Sequence, residues 1–203
     1  MSAPDPNTPI FGRTDEGFTA AALGELAWIA IPGVDGFHIV SAWRIGAPMR
    51  QWKRRDFWAF GGHAADEAGF RAYVENVAEH HRQLPALGRR PCESGVWTPW
   101  GFAQHGEIYG EGVVFFTTAS HGGFKLAPER LALMPAALRA AGGWYEEDCE
   151  WAKVAIAFPD LFTESERREA ERTLRHWSPA CWEAVRGRQL ESTGTSEKGD
   201  ANV

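Results

Sequence analysis

Cysteine is scarce in this chain: Cys92, Cys149 and Cys181 are the three present, and no two of them form a CxxC pair. That excludes a zinc ribbon and a thioredoxin-type dithiol, both of which need closely spaced thiols. The odd count, with no secretory leader to be read, predicts a reducing cytoplasm rather than a disulfide framework. Apolar runs are far too short to predict a membrane span. No GxxxxGK[ST] or GxGxxG occurs, so neither a P-loop nor a dinucleotide fingerprint is present. HxxxH and HExxH are missing as well. The adjacent His80 and His81 point to different faces of a helix, while His105, His121 and His176 stand apart, so no metal and no cofactor are expected.

Positive charge is also in short supply. Lys and Arg total 21 against 27 Asp and Glu, for a net charge of −6 and a pI near 5.7. A protein built to hold a nucleic-acid backbone carries a basic patch that displaces counterions. The densest one here is Arg50–Arg55 (RQWKRR), with Arg89 and Arg90 a minor second. Its cations interleave with Trp52, which suits a phosphate backbone with one stacked base. The plainer reading is a solvated strand or loop between apolar runs, and nucleic acid is the less favoured partner. An acidic surface fits a basic protein partner better.

Aromatic residues, by contrast, are abundant: ten tryptophans and twelve phenylalanines in a chain that is 44% hydrophobic. That is enough to bury a core. Large aromatics serve cores and interfaces alike, and core is the commoner fate.

Residues 1–16 and 189–203 are polar, lack apolar periodicity, and are expected to be disordered. Between them the pattern predicts two halves, 17–90 and 91–188. The first has an alanine-rich run from Phe18, strands at Trp28–Ile31 and Phe37–Trp43 joined by a loop of about five residues, and a third strand at Asp56–Phe60. A helix over Asp66–Gln83 follows, with Phe70, Tyr73, Val74 and Val77 on its apolar face. The second half predicts strands at Gln104–Tyr109, Val113–Thr118 and Gly123–Leu126. Helices are expected over Pro128–Ala140, Trp144–Phe158 and Thr163–Trp177, with a last turn at Pro179–Arg186. Thr163 and Glu166 make a capping box, and Glu164 with Arg168 and Glu171 with Arg175 are i,i+4 pairs. The fold class is α+β: small antiparallel sheets with helices packed on one face, and a helical C-terminal part.

Two stretches concentrate reactive residue types, Ser120-His121-Gly122-Gly123 and Gly142-Gly143-Trp144-Tyr145-Glu146-Glu147-Asp148-Cys149-Glu150-Trp151. On a helix starting at Trp144, the acidic run is favoured by the free N–H groups and dipole of the first turn. Asp148 then falls on the buried stripe beside Trp144, Trp151 and Cys149, where a desolvated carboxylate needs a partner. His121, on a Gly-Gly turn, is the natural one, with Arg130 and Arg139 as competitors. With Cys149 nearby, His121 and Asp148 would resemble a base–orienter pair serving a thiol nucleophile. A cysteine on an apolar helix face is more often a small core residue.

With Trp97-Thr98-Pro99-Trp100-Gly101, these stretches resemble a family of domains of unknown function found in bacterial proteins, many encoded on plasmids, phages and other mobile elements. The resemblance spans roughly Trp97–Phe162 and implies an accessory protein of mobile DNA, a context in which small acidic proteins block host defence. The expected function is binding of a protein partner, through Ser120, Gly122, Gly123, Trp144, Tyr145, Glu146, Glu147, Glu150 and Trp100. The alternative is a small hydrolase or transferase using His121, Asp148 and Cys149; nucleic-acid binding through Arg50–Arg55 is a further one.

Overall fold

The computed structural model describes residues 6–187. The tail expected to be disordered, 189–203, lies outside the described residues. The chain divides into two compact units, Met1–Arg89 with Phe162–Glu166, and Arg90–Leu161 with Arg167–Val203. Both pair antiparallel sheets with helices, so the fold is α+β.

The first unit is a five-stranded antiparallel meander of β1 (Ile10–Arg13), β2 (Thr19–Leu23), β3 (Leu26–Gly33), β4 (Gly36–Trp43) and β5 (Ala59–Ala64). It is followed by helix α1 (Glu67–Gln83). Alanine-rich β2 is buried on both faces, which explains its lack of alternation. On one face Ala21, Trp28, Ala30 and Ile39 cluster with Phe70, Val74 and Ala78 of α1. On the other, Ala20, Ala27, Ile29 and Val40 cluster with Trp52 and Phe57. Asp66 caps α1, its carboxylate accepting from the Gly69 N–H at 2.7 Å.

Three expectations need correction here. Residues 1–16 are not wholly disordered: Ile10–Arg13 pairs with Thr19–Ala22 as an edge strand. The β3–β4 loop is shorter than expected, because Gly33 and Gly36 already pair and leave only Val34 and Asp35 between them. Asp56–Phe60 is not one strand. Arg54–Asp56 forms a 3-10 turn, Phe57 plugs the core, and pairing begins at Ala59.

The second unit carries the sheet β12-β11-β10-β9-β6, built from β6 (Arg90–Cys92), β9 (His105–Gly110), β10 (Val113–Thr117), β11 (Gly122–Leu126) and β12 (Trp144–Glu146). A separate hairpin joins β7 (Trp97–Thr98) to β8 (Gly101–Phe102). The helices are α2 (Pro128–Leu133), α3 (Trp151–Ala157), α4 (Glu164–Trp177, whose first turn falls in the first unit) and α5 (Pro179–Arg186). Thr163 and Glu166 cap α4 reciprocally, at 2.7 and 3.2 Å.

The helix expected over Pro128–Ala140 stops at Leu133, because Pro135 pushes Met134 out of the helical region, to ψ 143. The helix expected from Trp144 is a larger miss: Trp144–Glu146 is a strand, paired with Gly123–Lys125 of β11. Tyr145 points inward and is fully buried, while Trp144 and Glu146 take the opposite face. Helix begins only at Trp151, leaving Glu147–Glu150 as a turn. Glu171 ties α4 to α5: the Trp182 indole N–H donates to it at 2.5 Å, and Arg186 pairs with it. No helix among the described residues is long and apolar enough to cross a membrane.

Candidate functional site

The two reactive stretches and the Trp97–Gly101 hairpin converge at one end of the second unit's sheet. Gly122 and Gly123 are buried with ordinary φ, so their role is space rather than conformational freedom. A side chain on Gly123 would collide with the Trp100 indole and the Tyr145 carbonyl oxygen. One on Gly122 would collide with the Glu147 carboxylate and meet Phe115 Cζ and Phe116 O at 3.0 Å. Trp100 is thus laid over β11, and its ring meets Trp144 edge-on at 5.8 Å. Lys125 caps the Trp144 ring at 4.8 Å and donates to the Gly142 carbonyl.

Seated by Trp100, the hairpin leaves its large apolar side chains outward. Trp97 is 76% exposed, Phe102 51% and Val96 42%, and the Trp97 and Phe102 rings meet edge-on at 5.5 Å. Thr98 holds the tight turn: its hydroxyl donates to the Gly101 carbonyl and accepts from the Trp100 N–H. The hairpin returns to the sheet through the Gln104 N–H, which donates to the Thr117 carbonyl.

The next turn at this end carries His121. Thr118 locks it, its N–H and hydroxyl both donating to the His121 carbonyl at 2.7 and 2.8 Å, while its Oγ1 accepts from the His121 N–H. Across the β11–β12 pairing, His121 Nδ1 stands 3.7 Å from Glu146 Oε1. The Asp148 N–H folds back and donates to Glu146 Oε2 at 2.7 Å. One donor atom from each of His121, Glu146 and Asp148 lies within 4.8 Å of the others.

His121 and Asp148 therefore meet, with Glu146 as a third member that spacing did not single out as their partner. Asp148 is exposed, not buried as a helical stripe required, because the Glu147–Glu150 turn carries it outward. Burial pushes the Cys149 thiol up, and Glu146 and Glu150 push it further, the opposite of what an activated nucleophile needs. Tyr145, expected at a binding surface, is core: its hydroxyl accepts from the Ala140 N–H and donates to Met134 Sδ, each at 2.9 Å. Trp100 is half-buried, with its indole laid over Gly123. Glu147 covers Gly122, Glu150 holds Lys153 at 2.7 Å, and Ser120 is exposed with its N–H on Thr118 Oγ1. Sequence reasoning passed over Trp97, Phe102 and Val96; the signal was a pair of large apolar side chains flanking Thr98-Pro99-Trp100-Gly101.

The Arg50–Arg55 segment loses the feature that suggested nucleic acid. Trp52 is 5% exposed, donates to the Ala47 carbonyl, and packs edge-on against Phe57, so it offers no face to a base. Arg50 pairs with Asp15, and Arg54 donates to the Phe57 carbonyl.

A family model described as a domain of unknown function, DUF7007, matches residues 93–202, more than half of the chain. No curated protein and no solved structure matches it.

Proposed function

For this chain, which belongs to the DUF7007 family of domains of unknown function, we propose a non-enzymatic role: it binds a protein partner through the β7–β8 hairpin and the acidic turn near it. The carrying observation is that Trp97 and Phe102 are exposed while the hairpin beneath them is fixed by Trp100. Burying side chains of this size is worth about 1.5–3 kcal/mol each. A pre-ordered aromatic pair also loses little conformational freedom on docking, and tryptophan is enriched among the residues that dominate binding energy. Glu146, Glu147, Asp148 and Glu150 supply negative charge at the same end of the unit, in a chain of net charge −6. The complementary surface is an apolar pocket rimmed by Lys or Arg. Taken with the resemblance to domains of plasmids and phages, the partner is read as a host protein, with a defence component as the class that a mobile-element accessory protein would block.

The test is affinity capture from host lysate with the full chain and with Trp97→Ser plus Phe102→Ser. The reading expects a partner held by the wild type, weakened by salt, and lost in the double variant with its circular dichroism unchanged. Equal capture by both chains would sink it.

A second reading, hydrolase or transferase chemistry, is favoured by one observation, the approach of His121 and Asp148 to within 4.8 Å. Cys149 loses support as its nucleophile, since burial first and its acidic neighbours second push the thiol up, away from activation. Turnover of an ester or phosphodiester panel that vanishes in His121→Ala would support this reading; equal turnover in that variant would remove it.

A further inference from the structure

We propose that His121, Glu146 and Asp148 bind one divalent transition-metal ion, with Zn2+ the best match to their donor set. The proposal is independent of the docking hairpin. It starts from an anomaly: Glu146 Oε1 is shielded from solvent and has no hydrogen-bond partner. A carboxylate oxygen left in that state destabilises the fold unless a cation meets it. His121 Nδ1 stands 3.7 Å from it, which is beyond hydrogen-bond range of about 3.2 Å.

That spacing suits a shared ion. Nitrogen and oxygen ligands at about 2.0–2.2 Å from a tetrahedral centre stand about 3.3–3.6 Å from one another. The His121–Glu146 pair is already near that value, and Asp148 closes the remainder by rotating an exposed side chain. The ligand atoms are also oriented in advance. Glu146 Oε2 is occupied by the Asp148 N–H, which leaves Oε1 as the free lone-pair donor. Thr118 fixes the turn that carries His121. The bond to Glu146 Oε2 is an outer hydrogen bond of the kind that holds a metal ligand in place, and the Thr118 bonds hold the backbone that bears His121.

Charge and chemistry agree. A neutral imidazole with two carboxylates presents two negative charges to a dication, and a mixed N/O set suits borderline ions better than Ca2+ or Mg2+, which prefer all-oxygen shells. The cations close by in sequence are engaged elsewhere: Lys125 on the Gly142 carbonyl and the Trp144 ring, and Lys153 on Glu150. Three protein ligands leave a coordination position for water or an exogenous group, on the side where His121 and Asp148 are exposed. The expectation of no metal rested on ligand spacing within a helix. These ligands come instead from the turn before β11, the last residue of β12 and the turn after it, brought together by β11–β12 pairing.

The experiment is calorimetric titration of the full chain with Zn2+ alone, repeated on His121→Ala and Glu146→Gln, with the His121 ring signal followed by NMR. One ion per chain is expected, with affinity falling at least about tenfold in either variant and the His121 ring shifting in step with binding. His121 is half exposed, so its loss spares the fold, and the NMR readout needs no variant. Unchanged binding in both variants would overturn the proposal. So would a His121 signal that titrates with pH yet ignores Zn2+, since the cluster would then be an ion pair only.

Discussion

Gly123→Ala is the sharpest probe of how the three motifs are assembled. The added methyl would stand 2.6 Å from Trp100 Cζ3 and closer still to Cη2 and the Tyr145 carbonyl oxygen. Carbon atoms in contact normally sit about 3.5–4.0 Å apart, so roughly an ångström of overlap must be relieved. Tyr145 cannot yield: it is paired in the sheet with Phe124, fully buried, and bonded through its hydroxyl. Trp100 must move instead, and with it the hairpin turn. Overpacking of this kind costs about 1–3 kcal/mol and sometimes more; with a backbone atom among those struck, about 3 kcal/mol or above is expected. For a unit of this size that corresponds to a Tm lower by roughly 10 °C or more. Urea and thermal unfolding followed by tryptophan fluorescence measure it. Gly122→Ala should cost less, because the Glu147 carboxylate it strikes can swing away. Trimming Trp100 to Leu in the Gly123→Ala background should recover only part of the loss, since the Tyr145 oxygen remains. If Gly123→Ala lies within about 0.5 kcal/mol of wild type, the ordinary range for a surface change, Trp100 is not seated on β11 and the convergence of motifs fails.

Acid should weaken the first unit in two steps. Burial holds His80 below its ordinary value of 6.5, opposed by Glu166 and reinforced by His81 and Arg89. The unfolded chain therefore binds the proton more readily, and stability falls as pH drops below 6.5 toward the depressed folded value. Burial raises Glu166, but the Arg89 hydrogen bonds and the Thr163 N–H more than reverse this, so its contribution is present above 4.5 and lost as pH falls through the lower folded value. Urea midpoints measured from neutral pH downward should show both limbs, with Glu166→Gln flattening the lower one; a flat profile would contradict the assignment. Arg89 grips Glu166 at 2.9 and 2.7 Å and is 8% exposed against 21% for Glu166. Arg89→Met should cost about 2–3 kcal/mol, below the range for a fully buried pair, and Arg89→Met with Glu166→Gln, which keeps the acceptor for the Thr163 N–H, should recover most of it in the same denaturation assay. A double variant no more stable than the single one would show that packing, not charge, is at stake.

What could be read in the residues was what local chemistry decides. Asp66 before an apolar stripe fixed the start of α1, and Thr163 with Glu166 fixed that of α4. Edge strand β1 is hidden because it is four residues long inside a proline-rich, polar stretch, and its pairing with β2 is what makes it a strand. Trp144–Glu146 has a helical pattern in isolation for the same reason. Three residues of alternation cannot outweigh a 3.6-residue stripe until β11 is seen beside them. Pro135 was a local stop signal for α2 that the apolar run obscured. At the site, His121 and Asp148 were legible as unusual residues, and they do come together. Glu146 as their third member, and the outward turn that exposes Asp148, follow from cross-strand pairing and have no signature in spacing.

The central claim is that the Trp97–Phe102 hairpin is a docking surface. Its most direct test is a photo-crosslinking amino acid placed at Trp97, compared with the same group at Leu133, an equally accessible apolar position of the same unit at 68% exposure. Irradiation in the host should join position 97, and not position 133, to a single protein whose adduct fades as salt rises. Adducts of equal yield and identity from both positions, or none from position 97, would contradict it.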